Sequence, residues 1–261
     1  VIGEINCLRK HLSRIKGGRL AGLAAPARLV TLAISDVPRD DPSAIASGPT
    51  VPDPTTLADA RASEAKYGIE SPASAAALLA DPAMETPKSG DPVFAGSRFE
   101  IVARPADSLA AAARAAEAAG YEIVSLGADV EGEAREVAAS HAAMAKRLRA
   151  EGRRAAILSG GELTVTIRGH GRGGPNQEYA LALAIALDGI HGVAAIAGDT
   201  DGTDGGGGAA NDPAGAYCDG TTAARARALG IDPAAMLADN DSTGFFERLG
   251  DLLTPGPTLT N

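Results

Sequence analysis

Short apolar runs alternate with long helical patterns through the second half of the chain. The runs "FEIVA", "YEIVSLG", "RAAILSG" and "GVAAIAGD" are typical of buried strands, and helical patterns at 107–120, 131–152 and 176–188 lie between them. Strands and helices alternating at this length predict an α/β fold with a three-layer arrangement, in which a mostly parallel sheet is covered on both faces. The period-two run at 162–168 directly follows the strand at 155, and this back-to-back pair predicts a mixed sheet.

The first part of the chain is organised differently and predicts a separate domain. It opens on a helix whose expected buried stripe is Ile5, Leu8, Leu12 and Ile15. A continuous apolar strand at 28–38 and helices at 55–67 and 72–80 follow, and the segment "METPKSGDPVF" (84–94) is typical of a linker. We therefore expect domains at 1–94 and 95–261. Because the chain starts without Met and within a helical pattern, we also expect it to be part of a longer protein.

The overall composition excludes several classes of function. A formal net charge of -9 over 261 residues argues against nucleic-acid binding, which needs a broad basic surface. The two cysteines, Cys7 and Cys218, are too few for a disulfide framework and favour a reducing compartment. No apolar run is long enough to span a bilayer, and no signal peptide is recognisable. The expected location is the cytoplasm.

Acidic residues and glycines follow several of the predicted strands. Ligands of open α/β sheets bind beyond the carboxyl ends of the strands, so these positions predict a binding site. Each position alone is equally well explained as a turn or a helix cap, but together they favour a site. The residues concerned are Ser35 with Asp36, Ser159 to Glu162, the glycine-rich stretch at 168–178, and Asp199 with Asp201.

The stretch "RGHGRGGPNQE" (168–178) leaves two interpretations open. Gly169, Gly171 and Gly174 match G-x-G-x-x-G, which would indicate a dinucleotide site. However, the preceding strand alternates apolar and polar residues instead of being apolar throughout, as a first Rossmann strand is. Arg172 within the glycines favours a phosphate held by guanidinium, backbone N–H groups and a helix N-terminus. A tight connection with a solvent-facing arginine is the structural alternative.

Two further features suggest phosphate chemistry. The run "AGDTDGTDGGGG" does not match an EF-hand, since Thr203 occupies a ligand position, but Asp199 and Asp201 suit Mg²⁺ shared with substrate phosphates. For Asp204, a mobile acidic loop is a credible reading. Lys16 stands beside Gly17 and Gly18, where a helix gives way to a loop, so its ammonium group could reach a phosphate.

Five long motifs resemble one family. The stretches "RKHLSRIKGGRLA", "ISDVPRDDPSAIASGPTVPDPTT", "LSGGELTVTIRGHGRGGPNQE", "AGDTDGTDG" and "NDSTGFFERLGDLLTPGPTLTN" occur in order along the whole chain. They resemble glycerate 2-kinases with a C-terminal MOFRL domain, whose members often carry the name hydroxypyruvate reductase. The resemblance implies part of a Rossmann-like first domain and a MOFRL-type second domain. The family's N-terminal "GAGKA" and "SGGGS" stretches are not found in this chain.

The resemblance also implies an activity and a set of roles. Family members transfer the γ-phosphoryl group of ATP to the 2-hydroxyl of D-glycerate with Mg²⁺. Together with the strand-end positions, this assigns Lys16, Asp36 and Arg172 to catalysis, with Asp36 orienting or deprotonating the hydroxyl, and Asp199 and Asp201 to the metal. Glu162 is a further candidate for the metal or its water. The expected substrate and nucleotide contacts are Ser159, Gly160, Gly161, Glu162, Gly171, Gly173, Gly174 and Asn176.

Three functions stay open on the sequence. The kinase is favoured, an NAD(P)H-dependent hydroxypyruvate reductase is the alternative enzyme, and a fragment that binds a ligand without turnover is the third possibility. A homodimer is a possible assembly. Neither nucleic acid nor membrane is an expected partner.

Overall fold

The computed structural model describes residues 2–35, 37, 40–206, 209 and 211–258. The chain divides by its internal contacts into two compact units, residues 1–104 and 105–261. The division follows Arg104, whereas the sequence predicted a boundary at 94/95. It lies later because the strand at 98–103 pairs with the strand at 30–34 and so belongs to the first unit.

The first unit combines helices with one pair of strands in its described part. Thr56 and Asp59 form a reciprocal capping box at the start of the third helix. The strands pair in parallel, and short 3₁₀ turns occur at Ile45–Ser47, Pro82–Met84 and Pro92–Phe94. The elements are α1 (Ile2–Leu12), α2 (Arg19–Ala24), β1 (Val30–Ile34), α3 (Leu57–Tyr67), α4 (Ala73–Ala80) and β2 (Arg98–Ala103).

The core of the first unit lies where α1, α3 and α4 meet. Cys7, Leu57, Ala60 and Leu79 are buried there. The predicted stripe of α1 is wrong at its ends, because Ile5 and Ile15 are exposed while Cys7, Lys10 and His11 are buried. The helix also ends at Leu12, before the predicted glycine pair, since the Ser13 hydroxyl accepts the N–H groups of Ile15 and Lys16 in a turn.

The second unit contains parallel and antiparallel strand pairs. β3 pairs in parallel with β5 and β4 with β6, whereas β8 runs antiparallel to both β7 and β9. The elements are α5 (Pro105–Ala118), β3 (Glu122–Ser125), β4 (Val130–Glu133), α6 (Ala134–Ala150), β5 (Ala155–Leu158), β6 (Gly161–Thr164), α7 (Pro175–Ala186), β7 (Ala194–Gly198), β8 (Gly215–Asp219), α8 (Thr222–Ala228), α9 (Pro233–Ala238), α10 (Ser242–Leu249) and β9 (Leu252–Leu253).

The helix α7 forms the centre of the second core. It is apolar on most of its surface, and its Leu181, together with Leu187 directly after the helix, is fully buried in one cluster with Phe245 and Phe246 of α10. An all-round apolar helix is stable only when other elements cover it. The predicted α/β class with mixed pairing is thus confirmed. Three layers and a Rossmann-like first domain stay predictions.

Across the described residues, no helix combines the length and the apolar character that a membrane crossing requires.

Candidate active site

The glycine-rich loop between β6 and α7 is hydrogen-bonded to the segment that precedes α10. The N–H groups of Arg168 and Gly169 donate to Asn240 Oδ1 at 2.8 and 3.0 Å. The N–H group of His170 donates to Asp239 Oδ1 at 3.0 Å, and that of Arg172 to Asp241 Oδ1 at 3.2 Å. Side chains of residues 239–241 therefore accept hydrogen bonds from the backbone N–H groups that were predicted to bind a phosphate.

The glycines of this loop are required by close packing. A Cβ atom at Gly173 would overlap Ser242 Oγ, and one at Gly174 would overlap the carboxyl group of Asp204. A Cβ atom at Gly171 would similarly overlap Asp241. These glycines allow the loop to lie directly against neighbouring protein atoms. Their predicted contact with a ligand stays a prediction beside this packing role.

The N-terminus of α7 is capped by a carboxylate from a distant loop. Asp204 Oδ1 accepts from Asn176 N at 3.0 Å and Nδ2 at 3.2 Å, while Oδ2 accepts from Gln177 N at 2.8 Å and Nε2 at 3.0 Å. Asp204 is only 3% exposed, so its reading as part of a mobile acidic loop is wrong. Burial raises the pKa of this carboxyl, although the four donors oppose that effect.

The side chain of Arg172 is exposed, although its backbone is held in place. Its carbonyl oxygen accepts from the N–H group of Thr243 at 2.8 Å, which fixes the backbone. Its side chain is 69% exposed and donates through Nη2 to Glu247 Oε2 at 3.0 Å, and the Glu247 side chain is 62% exposed. Such a surface ion pair contributes only about 0–1 kcal/mol, so an anionic ligand can replace Glu247 at little cost.

The run Ser159–Glu162 joins the two parallel strand pairs. The Gly160 N–H group donates to Gly127 O at 2.9 Å, and Gly160 O accepts from Val130 N at 2.9 Å. Gly161 has a φ of +140° and lies so close to the Val130 backbone that a Cβ atom would overlap it. Only glycine suits that position. Ser159 and Glu162 are exposed beside it.

The two predicted metal ligands lie at the end of β7. The Asp201 N–H group donates to Asp199 Oδ1 at 3.4 Å, and Asp201 Oδ1 accepts from Thr203 N at 2.9 Å. Partial burial of its carboxyl raises the pKa of Asp199, and the nearby charges of Asp201 and Asp204 raise it further. The described residues contain no group of three or more His, Cys, Asp or Glu side chains able to hold a metal.

Lys16 lies in the first unit, beside a backbone segment with unusual dihedral angles. Its ammonium group donates to Ala46 O at 3.1 Å. Ala46 and Ser47 have φ values of 50° and 63°, in the left-handed region that non-glycine residues seldom adopt. Strained backbone of this kind is concentrated at functional sites. Asp36, the predicted base, lies outside the described residues.

A buried ion pair beneath the Lys16 turn was not predicted. Lys10, which is 5% exposed, donates to Asp53 Oδ1 at 3.0 Å, and Thr86 Oγ1 donates to Asp53 Oδ2 at 3.0 Å. A Cβ atom at Gly17 would lie 2.9 Å from Thr86 Cγ2, so the glycine turn rests directly on this group. Lys10 lies three residues after the buried Cys7 and therefore on the same face of α1. This spacing is the sequence signal that could have indicated its burial.

The strand context of the glycine loop does not match a dinucleotide fingerprint. That fingerprint needs a strand directly before its first glycine and a βαβ unit around the helix. Here β6 ends at Thr164, so the predicted strand to 168 is too long. In addition, β6 pairs with β4, whereas β7 pairs antiparallel with β8. The elements around α7 therefore do not form a Rossmann unit.

Family models match both ends of the chain. Residues 155–261 match the MOFRL family, and residues 1–80 match a domain of unknown function, DUF4147. A protein of Agrobacterium vitis, provisionally named a hydroxypyruvate reductase, is 52% identical over the whole chain, which covers 59% of that protein. The D-glycerate 2-kinase of Thermotoga maritima is 41% identical over the whole chain, which covers 61% of that kinase.

A mammalian protein and a solved structure are also similar to this chain. The glycerate kinase of Macaca fascicularis is 34% identical over the whole chain, which covers 76% of that protein. The chain belongs to the glycerate kinase family. A crystal structure of a Thermotoga maritima glycerate kinase superposes with a TM-score of 0.85 at 39% identity, over 100% of this chain and 61% of that one. The chain thus spans about three fifths of the length of several of these relatives.

Proposed function

We propose that the protein containing this chain is a glycerate 2-kinase, which transfers the γ-phosphoryl group of ATP to the 2-hydroxyl of D-glycerate. Membership of the glycerate kinase family carries this proposal, since a relative named D-glycerate 2-kinase and a structural neighbour named glycerate kinase both match the whole chain. The strand pairing around α7 supports it against the reductase, because the glycine loop lacks the βαβ context of a nicotinamide site.

Arg172 is the residue best placed to act on a phosphate or carboxylate. Phosphoryl transfer needs donor and acceptor in line and stabilisation of the charge that spreads over the transferred group. The backbone of Arg172 is fixed by Asp241 and Thr243, while its guanidinium group is exposed. A rigid backbone with an available guanidinium group provides the bidentate donor that such a charge requires.

The acidic loop after β7 suits magnesium. Asp199 is exposed and Asp201, two residues later, is half-buried, and Mg²⁺ is usually held by one or two carboxylates together with substrate phosphates. Bound there, the ion would neutralise phosphate charge. In the reaction, the glycerate 2-oxygen forms a bond to the γ-phosphorus as the bond to the bridging oxygen of ADP breaks. The proposed acceptor of the hydroxyl proton is Asp36.

Phosphorus NMR of MgATP and D-glycerate tests the proposal directly. The assay is run with this chain and with the intact gene product, and the expected result is a new 2-phosphoglycerate signal with stoichiometric ADP from the intact protein. The same signal from this chain alone would assign turnover to residues 1–261. Unchanged ATP with both samples, together with NADH oxidation by hydroxypyruvate, would replace the kinase by the reductase.

A further inference from the structure

A small cleft lies at the carboxyl end of the β3–β5 strand pair in the second unit. Its volume is about 250 Å³. Ser125 and Leu158, the last residues of β3 and β5, line it together with Gly127 and Ala128. Ligands of parallel α/β sheets bind beyond the carboxyl ends of the strands, so the cleft occupies a position that favours a ligand.

The other wall of the cleft is one face of α5. Ala106, Leu109, Ala110 and Ala113 line it, at the spacing that places residues on a single helical face. The helix packs against β3 and β5 and directly precedes β3 in the chain. Its N-terminal turn, which contains Ala106, consequently stands at the same end of the strands as the cleft. A helix N-terminus carries a partial positive charge.

The size and lining of the cleft limit what it can hold. Pockets for whole drug-sized ligands are usually about 300–1,000 Å³, so this cleft accommodates one ring system. Alanine and leucine side chains form both walls, and Ser125 is the polar exception. Walls of this composition favour a flat, weakly polar group over the charged and hydroxylated glycerate molecule.

The cleft borders the run already considered for nucleotide binding. Gly160 donates to Gly127 O at 2.9 Å, and a Cβ atom at Gly160 would lie 3.5 Å from both Leu109 Cδ1 and Ala128 Cα. The exposed Ser159 directly follows the cleft residue Leu158. A ligand with a ring in the cleft would therefore lie beside the exposed Ser159 hydroxyl and the N-terminal turn of α5, both of which suit a phosphate group. Nucleotides combine these two parts.

We propose that the cleft between α5 and the ends of β3 and β5 binds the adenine ring of ATP. This assignment rests on the proposed kinase function and gives it a nucleotide subsite in the second unit. The ring would lie between Leu109 on α5 and the backbone at 126–128. The part of ATP that carries the first phosphate group would lie beside Ser159 and Gly160.

Two tryptophan substitutions on α5 form a matched test. Ala110 and Ala111 are adjacent and exposed, but only Ala110 lines the cleft, and the chain has no tryptophan of its own. Ala110→Trp fills the cleft, whereas Ala111→Trp adds the same side chain outside it. Binding of MgADP and of inorganic tripolyphosphate is measured by calorimetry on the intact protein, together with the KM for ATP and for D-glycerate. Circular dichroism confirms that both variants are folded.

The expected result is selective for the base. Ala110→Trp should weaken MgADP binding and raise the KM for ATP by about tenfold or more, which is the loss in affinity expected when one buried apolar group loses its contacts. Tripolyphosphate binding and the KM for glycerate should stay unchanged. Ala111→Trp should leave all four values unchanged. Gly160→Ala, whose added methyl group makes ordinary contacts, should give a smaller effect in the same direction.

Other results would overturn the assignment in distinguishable ways. Equal weakening of MgADP and tripolyphosphate in Ala110→Trp would assign the cleft to phosphate and not to adenine. An active kinase in which Ala110→Trp changes nothing would place adenine elsewhere while the proposed function stands. A wild-type protein that neither binds MgADP nor turns over would remove the proposed function itself.

Discussion

At the scale of single residues, Arg172 combines a fixed backbone with a weakly held side chain. Asp241 and Thr243 bind its N–H and carbonyl groups, but only the exposed Glu247 carboxylate contacts its guanidinium group among the described residues. The fold therefore needs the backbone at this position and not the side chain. That separation makes Arg172 suitable for a test of function independent of stability.

Arg172→Ala should abolish most of the proposed kinase activity of the intact protein without unfolding it. Loss of one charged donor to a transferred phosphoryl group typically lowers kcat by about a hundredfold or more. The unfolding midpoint should change by less than the equivalent of about 1 kcal/mol, because only a surface pair is lost. The control is Glu247→Ala, which frees the guanidinium group and should retain activity. Full activity in Arg172→Ala would contradict the phosphate role.

The Glu85 carboxylate makes the stability of the first unit depend on pH. Burial opposes ionisation, but hydrogen bonds from Lys88, the Leu57 N–H group and His11 outweigh it and lower the pKa of Glu85 to about 2 from an ordinary 4.5. A carboxyl whose pKa is lower in the folded state stabilises the fold above its unfolded pKa. That contribution is lost as the pH falls from about 4.5 to about 2.

Glu85→Gln should therefore reduce stability most at neutral pH and least near pH 2. Urea unfolding followed by far-ultraviolet circular dichroism between pH 6 and pH 2.5 measures the difference from wild type. Glu70→Gln removes the same charge at an exposed position and should give only a small difference. A Glu85→Gln difference that is constant over this range would show that the carboxylate has no special role in acid stability.

At the scale of elements, the loop at 168–174 and the start of α10 pack closely against each other. A Cβ atom at Gly173 would overlap Ser242 Oγ, yet it would lie 3.4 Å from Ser242 Cβ. Ser242 Oγ is buried and has no hydrogen-bond partner among the described residues. The hydroxyl group alone thus excludes a side chain at position 173.

A double-mutant cycle tests this packing. Gly173→Ala should destabilise the protein by about 1–3 kcal/mol through overpacking, whereas Ser242→Ala should be nearly neutral. The double variant should recover most of the lost stability, with a coupling free energy of about 1 kcal/mol or more in urea unfolding. Simple additivity of the two changes would show that the loop relaxes away from α10.

The same elements show which parts of the fold the sequence could predict. Long segments such as α5 and α6 carry enough residues for a helical pattern, and the predicted bounds agree within a few residues. β4 was missed because "VEGE" has one apolar residue and was absorbed into the following helix. The hydrogen-bond partners of the glycine-rich stretch at 168–178 were also missed, since Asp204 and Asn240 approach it only through tertiary packing. Sequence spacing contains no information on such contacts.

At the scale of the whole molecule, the two units have cores of very different size. In the described part of the first unit, the buried cluster consists of Cys7, Leu57, Ala60 and Leu79, whereas the second unit buries a larger cluster around α7 and α10. Buried apolar area is the main source of stability, so the second unit should be the more stable one. Net stability is a small difference between large terms, and one core substitution is sufficient to change it measurably.

Hydrogen exchange of the whole chain tests this difference. In the wild type, amides of α7 and β8 should exchange most slowly and those of α1 and α3 faster. Phe246→Ala, at a fully buried position, should cost about 3–5 kcal/mol and reduce protection in α7 and β8. Leu79→Ala should cost about 2–5 kcal/mol and reduce protection in α1 and α3 only. If either substitution lowers protection equally in all four elements, the two units unfold as one cooperative body and the size of each separate core does not determine its stability.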